Sequence, residues 1–467
     1  MTHVHFIGIG GSGLSAIARL LLESGYKVSG SDRALTPFAD EVRKAGAHVY
    51  IGHHPRNITG ADWVVRSSAV TDDNPEVQAA KRAGIPVYKR ADFLGRLMEE
   101  KIGIGIAGTH GKTTTTAMTA WVLGELGRDP SFIVGGVMNN LGVNARAGKG
   151  RPFVIEADEY DNMFLGLKPQ IEVVTSLEHD HPDCFPTYES MVDAFEKFVD
   201  LLPEDGTLIV CVEDAGAASL IPHARQAGRN VVAYSVQGDK TIASPLWVMA
   251  RDVKPNMRGG FDFIASSNLS RAGLDTVEVS LQVPGEHNVR NALAVLAIIE
   301  TLGLSSAQAA KALAEFTGTG RRFQLRGEVN GVSVYDDYAH HPTEIKATLA
   351  GARARFPGRR LWAVWQPHTY SRTQTLFLEF ARAFKDADEV IVTEVYAARE
   401  PKQDFTSAEI VSAMPHMSAR YRQTLEETTH YLLENLKPGD VVLTLSAGDA
   451  DQVSTDVLKG LQERYIS

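Results

Sequence analysis

The segment Gly108-Thr109-His110-Gly111-Lys112-Thr113-Thr114 follows the apolar run Ile102–Ala107 and opens a helix-period stretch reaching about Leu126. A buried strand that delivers a glycine turn to a helix N-terminus aims backbone N–H groups at an anion. Lys112 is placed to reach the β- and γ-phosphates of a nucleoside triphosphate, and the Thr113 hydroxyl can ligate Mg²⁺. The spacing departs from G-x-x-x-x-G-K-T, because Ile106 stands where the first glycine would be. Four consecutive threonines, Thr113–Thr116, are a poor helix start unless their hydroxyls are used.

A second glycine turn lies near the N-terminus, Gly8-Ile9-Gly10-Gly11-Ser12-Gly13, between the apolar run Val4–Ile9 and a helix-period segment. Asp32 ends the next strand. This is the pattern that binds a diphosphate, and a dinucleotide or UDP would satisfy it equally. An oxidoreductase reading of this turn alone leaves Lys112 unexplained.

Carboxylates and imidazoles then follow strand after strand. Glu156-Ala157-Asp158-Glu159-Tyr160-Asp161 and Asp180-His181-Pro182-Asp183 each close an apolar run, at the strand ends where α/β sheets bind ligands. Oxygen-rich clusters suit Mg²⁺; His181 makes Mn²⁺ an alternative. His287 and Asn291, four apart, share a helix face, while Asn288 reads as a helix cap. Asp336-Asp337-Tyr338-Ala339-His340-His341 and Gln366-Pro367-His368-Thr369-Tyr370-Ser371-Arg372 also follow strands. They suit a small polar substrate whose carboxylate Arg372 grips.

The elements that must hold these groups are short apolar runs alternating with helix-period segments, the signature of parallel α/β sheets. Boundaries near Lys101 and Thr317-Gly318-Thr319-Gly320 divide the chain into three units: 1–100, 101–318 and 319–467. Residues from about Lys240 to Val283 read as an irregular or β-rich insertion. A helix is expected over Thr373–Lys385. The net charge of −10 argues against nucleic acid or an acidic membrane as partner. Two cysteines, Cys184 and Cys211, and a start without a signal-peptide pattern point to a reducing cytoplasm. No motif speaks to oligomeric state.

These motifs, in this order along essentially the whole chain, resemble the Mur ligase family of bacterial cell-wall synthesis. The resemblance implies an N-terminal Rossmann-like unit for a UDP substrate, a central P-loop ATPase-like sheet with an added β-rich region, and a C-terminal Rossmann-like unit for an amino acid. His5–Gly11, Gly108–Thr116, Asp336–Glu344 and Gln366–His368 look most like the branch that joins L-alanine to UDP-N-acetylmuramate. ATP would convert the substrate carboxylate to an acyl phosphate, which the amine of alanine then attacks.

Residue by residue, the resemblance assigns ATP to Gly108, Thr109, His110, Gly111, Lys112, Thr113, Thr114, His287, Asn291, Arg322 and Asp337. Thr113 falls to a first Mg²⁺, Glu156 matches the family's metal glutamate, and His181 falls to a second metal. The UDP substrate falls to Gly10, Gly11, Ser12, Gly13, Asp32, Ser67 and Ser68, and alanine to Tyr338, His340, His368 and Arg372. Lys112, His340 and Arg372 carry the catalytic roles. Glu159-Tyr160-Asp161 also resembles the branch that attaches a whole tripeptide during recycling. Members of that branch tend to have a cysteine in the N-terminal glycine turn, which this chain lacks.

Overall fold

A computed structural model describes residues 1–236, 244–269 and 275–466. The N-terminal unit is a parallel sheet of five strands in the order His48–Ile51, Lys27–Asp32, His3–Ile7, Trp63–Arg66, Val87–Lys89. His3–Ile7 is buried along its whole length, as an inner strand covered on both faces requires.

The central sheet has ten strands. Ile102–Ala107 lies between Ile171–Val174 and Pro152–Glu156, with Ile104 opposite Ile171 and Val154. Helix His287–Thr301 is buried nearly all round, the mark of a core helix. Its residues join one apolar core with those of helix Lys112–Glu125 and the strands. The expected β-rich insertion is a three-stranded antiparallel extension of this sheet, Leu246–Pro255, Phe261–Ser267 and Asp275–Ser280. Phe261–Ser267 alternates buried and half-buried residues, so only one face meets the core. Parts of the expected stretch, 240–243 and 270–274, lie outside the described residues.

The third sheet runs Gln324–Val329, Val332–Asp337, Val441–Leu445, Leu361–Trp365, Glu389–Val392, Ala419–Tyr421, parallel except for the first strand. The helix expected at Thr373–Lys385 is instead two short helices, Tyr370–Thr375 and Phe377–Ala381, broken at Leu376 (φ −106°, ψ 28°). Two demands pull them apart. Glu400 accepts hydrogen bonds from the N–H groups of Tyr370 (2.5 Å) and Ser371 (3.1 Å) and turns the first helix toward the site. Phe380 stacks on Trp365 at 4.6 Å and fixes the second in the core.

The N-terminal and central units meet backbone to backbone. Gly95, in helix Arg90–Leu97, and Gly166 lie against each other: a Cβ on Gly95 would overlap the Gly166 carbonyl, and one on Gly166 would overlap Ala91. Among the described residues, no helix is long and apolar enough to cross a membrane.

Candidate functional site

Gly111 caps helix Lys112–Glu125 in the left-handed region (φ 83°), where a side chain would be strained. A Cβ there would also stand 2.8 Å from Asn291 Oδ1. Lys112 turns back along its own loop: Nζ donates to the carbonyl of Gly108 (2.5 Å) and to Glu159 Oε1 (2.8 Å). Burial pushes the Glu159 carboxyl up, to about 7, against the pull of the lysine. Its other oxygen is buried without a hydrogen-bond partner. Thr113 Oγ1 donates to Glu156 Oε1 at 3.0 Å, and Glu156 Oε2 accepts from the Gly135 N–H at 2.7 Å. His181 Nε2 stands 3.9 Å from Glu159 Oε1. Thr113 with Glu156, and Glu159 with His181, are two pairs whose donors suit a hard divalent cation. Among the described residues, Glu156, Glu159 and His181 do not close into one cluster; the His and carboxylate group whose ligand atoms all lie within 4.8 Å of one another is His110, Glu178 and His341.

A cavity of about 820 Å³ opens beside this loop, lined by His110, Gly111, Thr113, Thr114, His287, Asn291, Arg322 and Asp337 among others. That size suits a nucleotide. Eight of the expected ATP residues thus share one cavity, while Gly108, Thr109 and Lys112 lie on the strand and Glu159 sides of the loop. Burial lowers the His287 pKa to about 4, helped by Arg290 and Arg322, so its ring is neutral at pH 7. Asn291 donates to Asn288 Oδ1 (2.9 Å). Asn288 is not a cap: Glu286 holds that position, and the Asn288 amide donates to the Pro284 carbonyl at 2.7 Å, tying the preceding turn to the helix. Asp337 accepts from the N–H groups of Phe323 (2.7 Å) and Ala339 (2.8 Å). Burial raises it to about 6.

The expected amino-acid residues run from the cavity rim, where the Arg322 guanidinium lies 5.3 Å over the Tyr338 ring, to His181. Arg372, 4% exposed, donates through Nε to Asp180 Oδ1 at 2.8 Å, and its Nη atoms approach His368 (3.3 Å) and His181 (3.4 Å). Its carboxylate partner in this structure is therefore Asp180 of the central unit. Tyr338 and His340 meet edge to face at 5.4 Å, and the His340 and His368 rings lie 6.0 Å apart. Burial holds the His340 pKa at about 3 and His368 at about 4, both neutral.

The UDP set sits at the carboxyl ends of the first sheet. Asp32 Oδ2 accepts from the Gly10 N–H at 2.8 Å, so in this structure it braces the turn. Ser67 packs beside Gly8, Ser68 is exposed, and Ser12 and Gly13 begin the helix. Sequence reasoning missed Arg90. Its guanidinium lies directly against Gly13, its Nε is buried without a partner, and Asp158 and Glu156 act on it electrostatically. The available signal was its place at the end of strand Val87–Lys89. Glu159, Glu178 and Asp180 lay inside recognised clusters but had no role assigned.

Two glycine loops of the strand–turn–helix kind, on separate sheets and beside the strand ends of a third, are the pattern of a nucleotide-dependent enzyme of three α/β units. The chain belongs to the Mur ligase family. The "Mur ligase family, catalytic domain" model matches residues 3–102, the "Mur ligase middle domain" 106–299, and the "Mur ligase, glutamate ligase domain" 321–448. A UDP-N-acetylmuramate–L-alanine ligase of Desulfosudis oleivorans is 43% identical over 99% of this chain and 99% of its own. The crystal structure of a UDP-N-acetylmuramate-alanine ligase from Thermotoga maritima superposes with a TM-score of 0.80 at 29% identity, covering 99% of this chain and 100% of that one. A murein peptide ligase from Psychrobacter arcticus gives 0.70 at 26% identity, covering 99% of both chains.

Proposed function

We infer that this protein is an ATP-dependent ligase that joins L-alanine to UDP-N-acetylmuramate, releasing ADP and phosphate, in peptidoglycan precursor synthesis in the cytoplasm. The observation that carries this reading is the convergence at His181. There Glu159, paired with Lys112 of the phosphate loop, and Arg372 of the third sheet both come within 4 Å of one imidazole. A carboxylate is inert to amines at neutral pH, so it must first gain a leaving group. ATP supplies one, and the reaction becomes a matter of positioning and charge neutralisation.

The roles divide at 100/101 and 318/319. Gly10, Gly11, Ser12, Gly13, Asp32, Ser67 and Ser68, with Arg90, hold the UDP diphosphate. Gly108–Thr114 cradle the ATP phosphates, with Lys112 on the transferred group, while His287, Asn291, Arg322 and Asp337 hold the nucleoside. Thr113, Glu156 and His181 hold Mg²⁺ or Mn²⁺, which when bound neutralises phosphate charge. Tyr338, His340, His368 and Arg372 receive alanine. The neutral His340 ring donates from Nδ1 to the Tyr338 carbonyl at 2.9 Å, which leaves Nε2 to accept a hydrogen bond from the alanine ammonium.

The test is ADP release with UDP-N-acetylmuramate and ATP across single amino acids and an L-alanyl tripeptide. L-alanine is expected to be turned over fastest. Equal turnover with glycine, serine or the tripeptide would sink the reading.

A further inference from the structure

Glu344 occupies the third position of helix Pro342–Arg355 and is 9% exposed. Its Oε2 accepts from the N–H groups of His340 (3.0 Å) and His341 (3.3 Å), while the His341 ring accepts from the Thr343 N–H (3.3 Å). That is a capping box, and an amide would serve it as well as a carboxylate. The other oxygen does something else. Oε1 lies 3.4 Å from His110 Nδ1 in the phosphate loop and 3.6 Å from Arg322 Nη1.

On its opposite edge, His110 Nε2 lies 3.4 Å from Glu178 Oε2, which also accepts from the Thr343 hydroxyl at 2.7 Å. The His110 ring packs on His341 with centroids 4.7 Å apart. One imidazole of the central unit is thus gripped by a carboxylate from each side of the seam. Burial alone would lower its pKa; Glu178 and Glu344 instead raise it to about 9, so the ring is charged at pH 7. His110, Arg322 and Glu344 all line the 820 Å³ cavity.

Within its own helix Glu344 needs one oxygen and no charge. Of the second oxygen's two contacts, Arg322 belongs to the third unit itself and His110 to the central one, so it is the His110 contact that ties the third unit to the phosphate loop. We propose that Glu344 is a positioning residue that couples the two half-reactions: through His110 it sets the phosphate loop and through Arg322 the cavity wall for ATP, and the His110 contact holds the amino-acid unit, with His340, against that loop. This rests on the cavity being the ATP site. The coupling is reciprocal, so a weakened grip on His110 must also weaken binding of the amino acid.

The experiment is steady-state kinetics on the full-length enzyme. Wild-type turnover with ATP, UDP-N-acetylmuramate and L-alanine tests the functional reading first and independently. Glu344→Gln keeps the cap and removes the charge. Its melting temperature is expected to fall by a few degrees, the share of the His110 and Arg322 pairing, with the third unit still folded. Its kcat/KM for ATP falls about tenfold or more, and its KM for L-alanine rises in parallel. His110→Asn, which leaves both hydrogen bonds of the capping box in place, reproduces the paired defect. The double variant is no more than about twofold worse than the worse single, as residues acting on one contact require. An unchanged KM for L-alanine in His110→Asn, wild-type kinetics in Glu344→Gln, or two defects that multiply would each overturn the proposal.

Discussion

The two glycine loops are built alike and equipped differently. Each follows a buried strand and opens a helix, at Ser12 and at Lys112. The first carries no cation of its own; the nearest, Arg90, arrives from another strand end and has a donor unspent. The second carries Lys112, already paired with Glu159, and a threonine hydroxyl bonded to Glu156. A loop that only holds a diphosphate needs donors. A loop that works on a phosphate needs a movable cation and acids to keep it in place.

Removing the cation of each loop breaks the comparison most sharply. Lys112→Ala is expected to lower kcat about a hundredfold or more, measured by ADP release, while UDP-N-acetylmuramate still binds in calorimetry. Arg90→Ala is expected to raise KM for the UDP substrate about tenfold or more, the worth of a charged hydrogen bond, with KM for ATP held within about twofold. If Arg90→Ala acts on ATP instead, the division of labour is wrong.

Backbone comes next. Gly111→Ala is expected to cost about 1–2 kcal/mol from the left-handed conformation alone, read by chemical denaturation, and to weaken ATP binding. Gly11 is extended (φ −77°) and meets only the Gly8 carbonyl at 3.5 Å, so Gly11→Ala is expected to change stability by about 0.5 kcal/mol or less.

The smallest effect is in pH. The His110 pKa rises from 6.5 unfolded to about 9 folded. A raised pKa adds stability that is fully present below 6.5 and lost as pH climbs through 9. The melting temperature of wild type should therefore fall over that window by more than that of His110→Asn. Parallel curves would remove the imidazolium from the account.

What could be read in the sequence was local. The phosphate loop announces itself within a dozen residues, because strand, glycines and lysine are contiguous. Asp32, Glu156 and His181 stand out in the sequence because strand ends follow apolar runs. The rest depended on distance. Asp180 and Arg372 are joined across 192 positions, and Glu178 and Thr343 across 165; no pattern in either segment names the other. Gln324–Val329 has no buried face and so no apolar run to notice. The helix expected at Thr373–Lys385 breaks because Glu400 pulls on one end of it. Asn288 looked like a cap because capping is what asparagine does near a helix start, and the Pro284 carbonyl it binds was invisible.

The paired glycines at 95 and 166 let the backbones of the first unit and the second touch within a seam that Phe93, Leu94, Met98 and Phe164 otherwise fill. That makes the seam a compatibility rule for chimaeras. A first unit grafted from a relative can seat here only if it brings a glycine to meet Gly166, however well its own sheet folds. Swaps of the third unit face a further rule, written in the charges of Glu344 and His110 as well as in the close approach of Gly351 to Gly285.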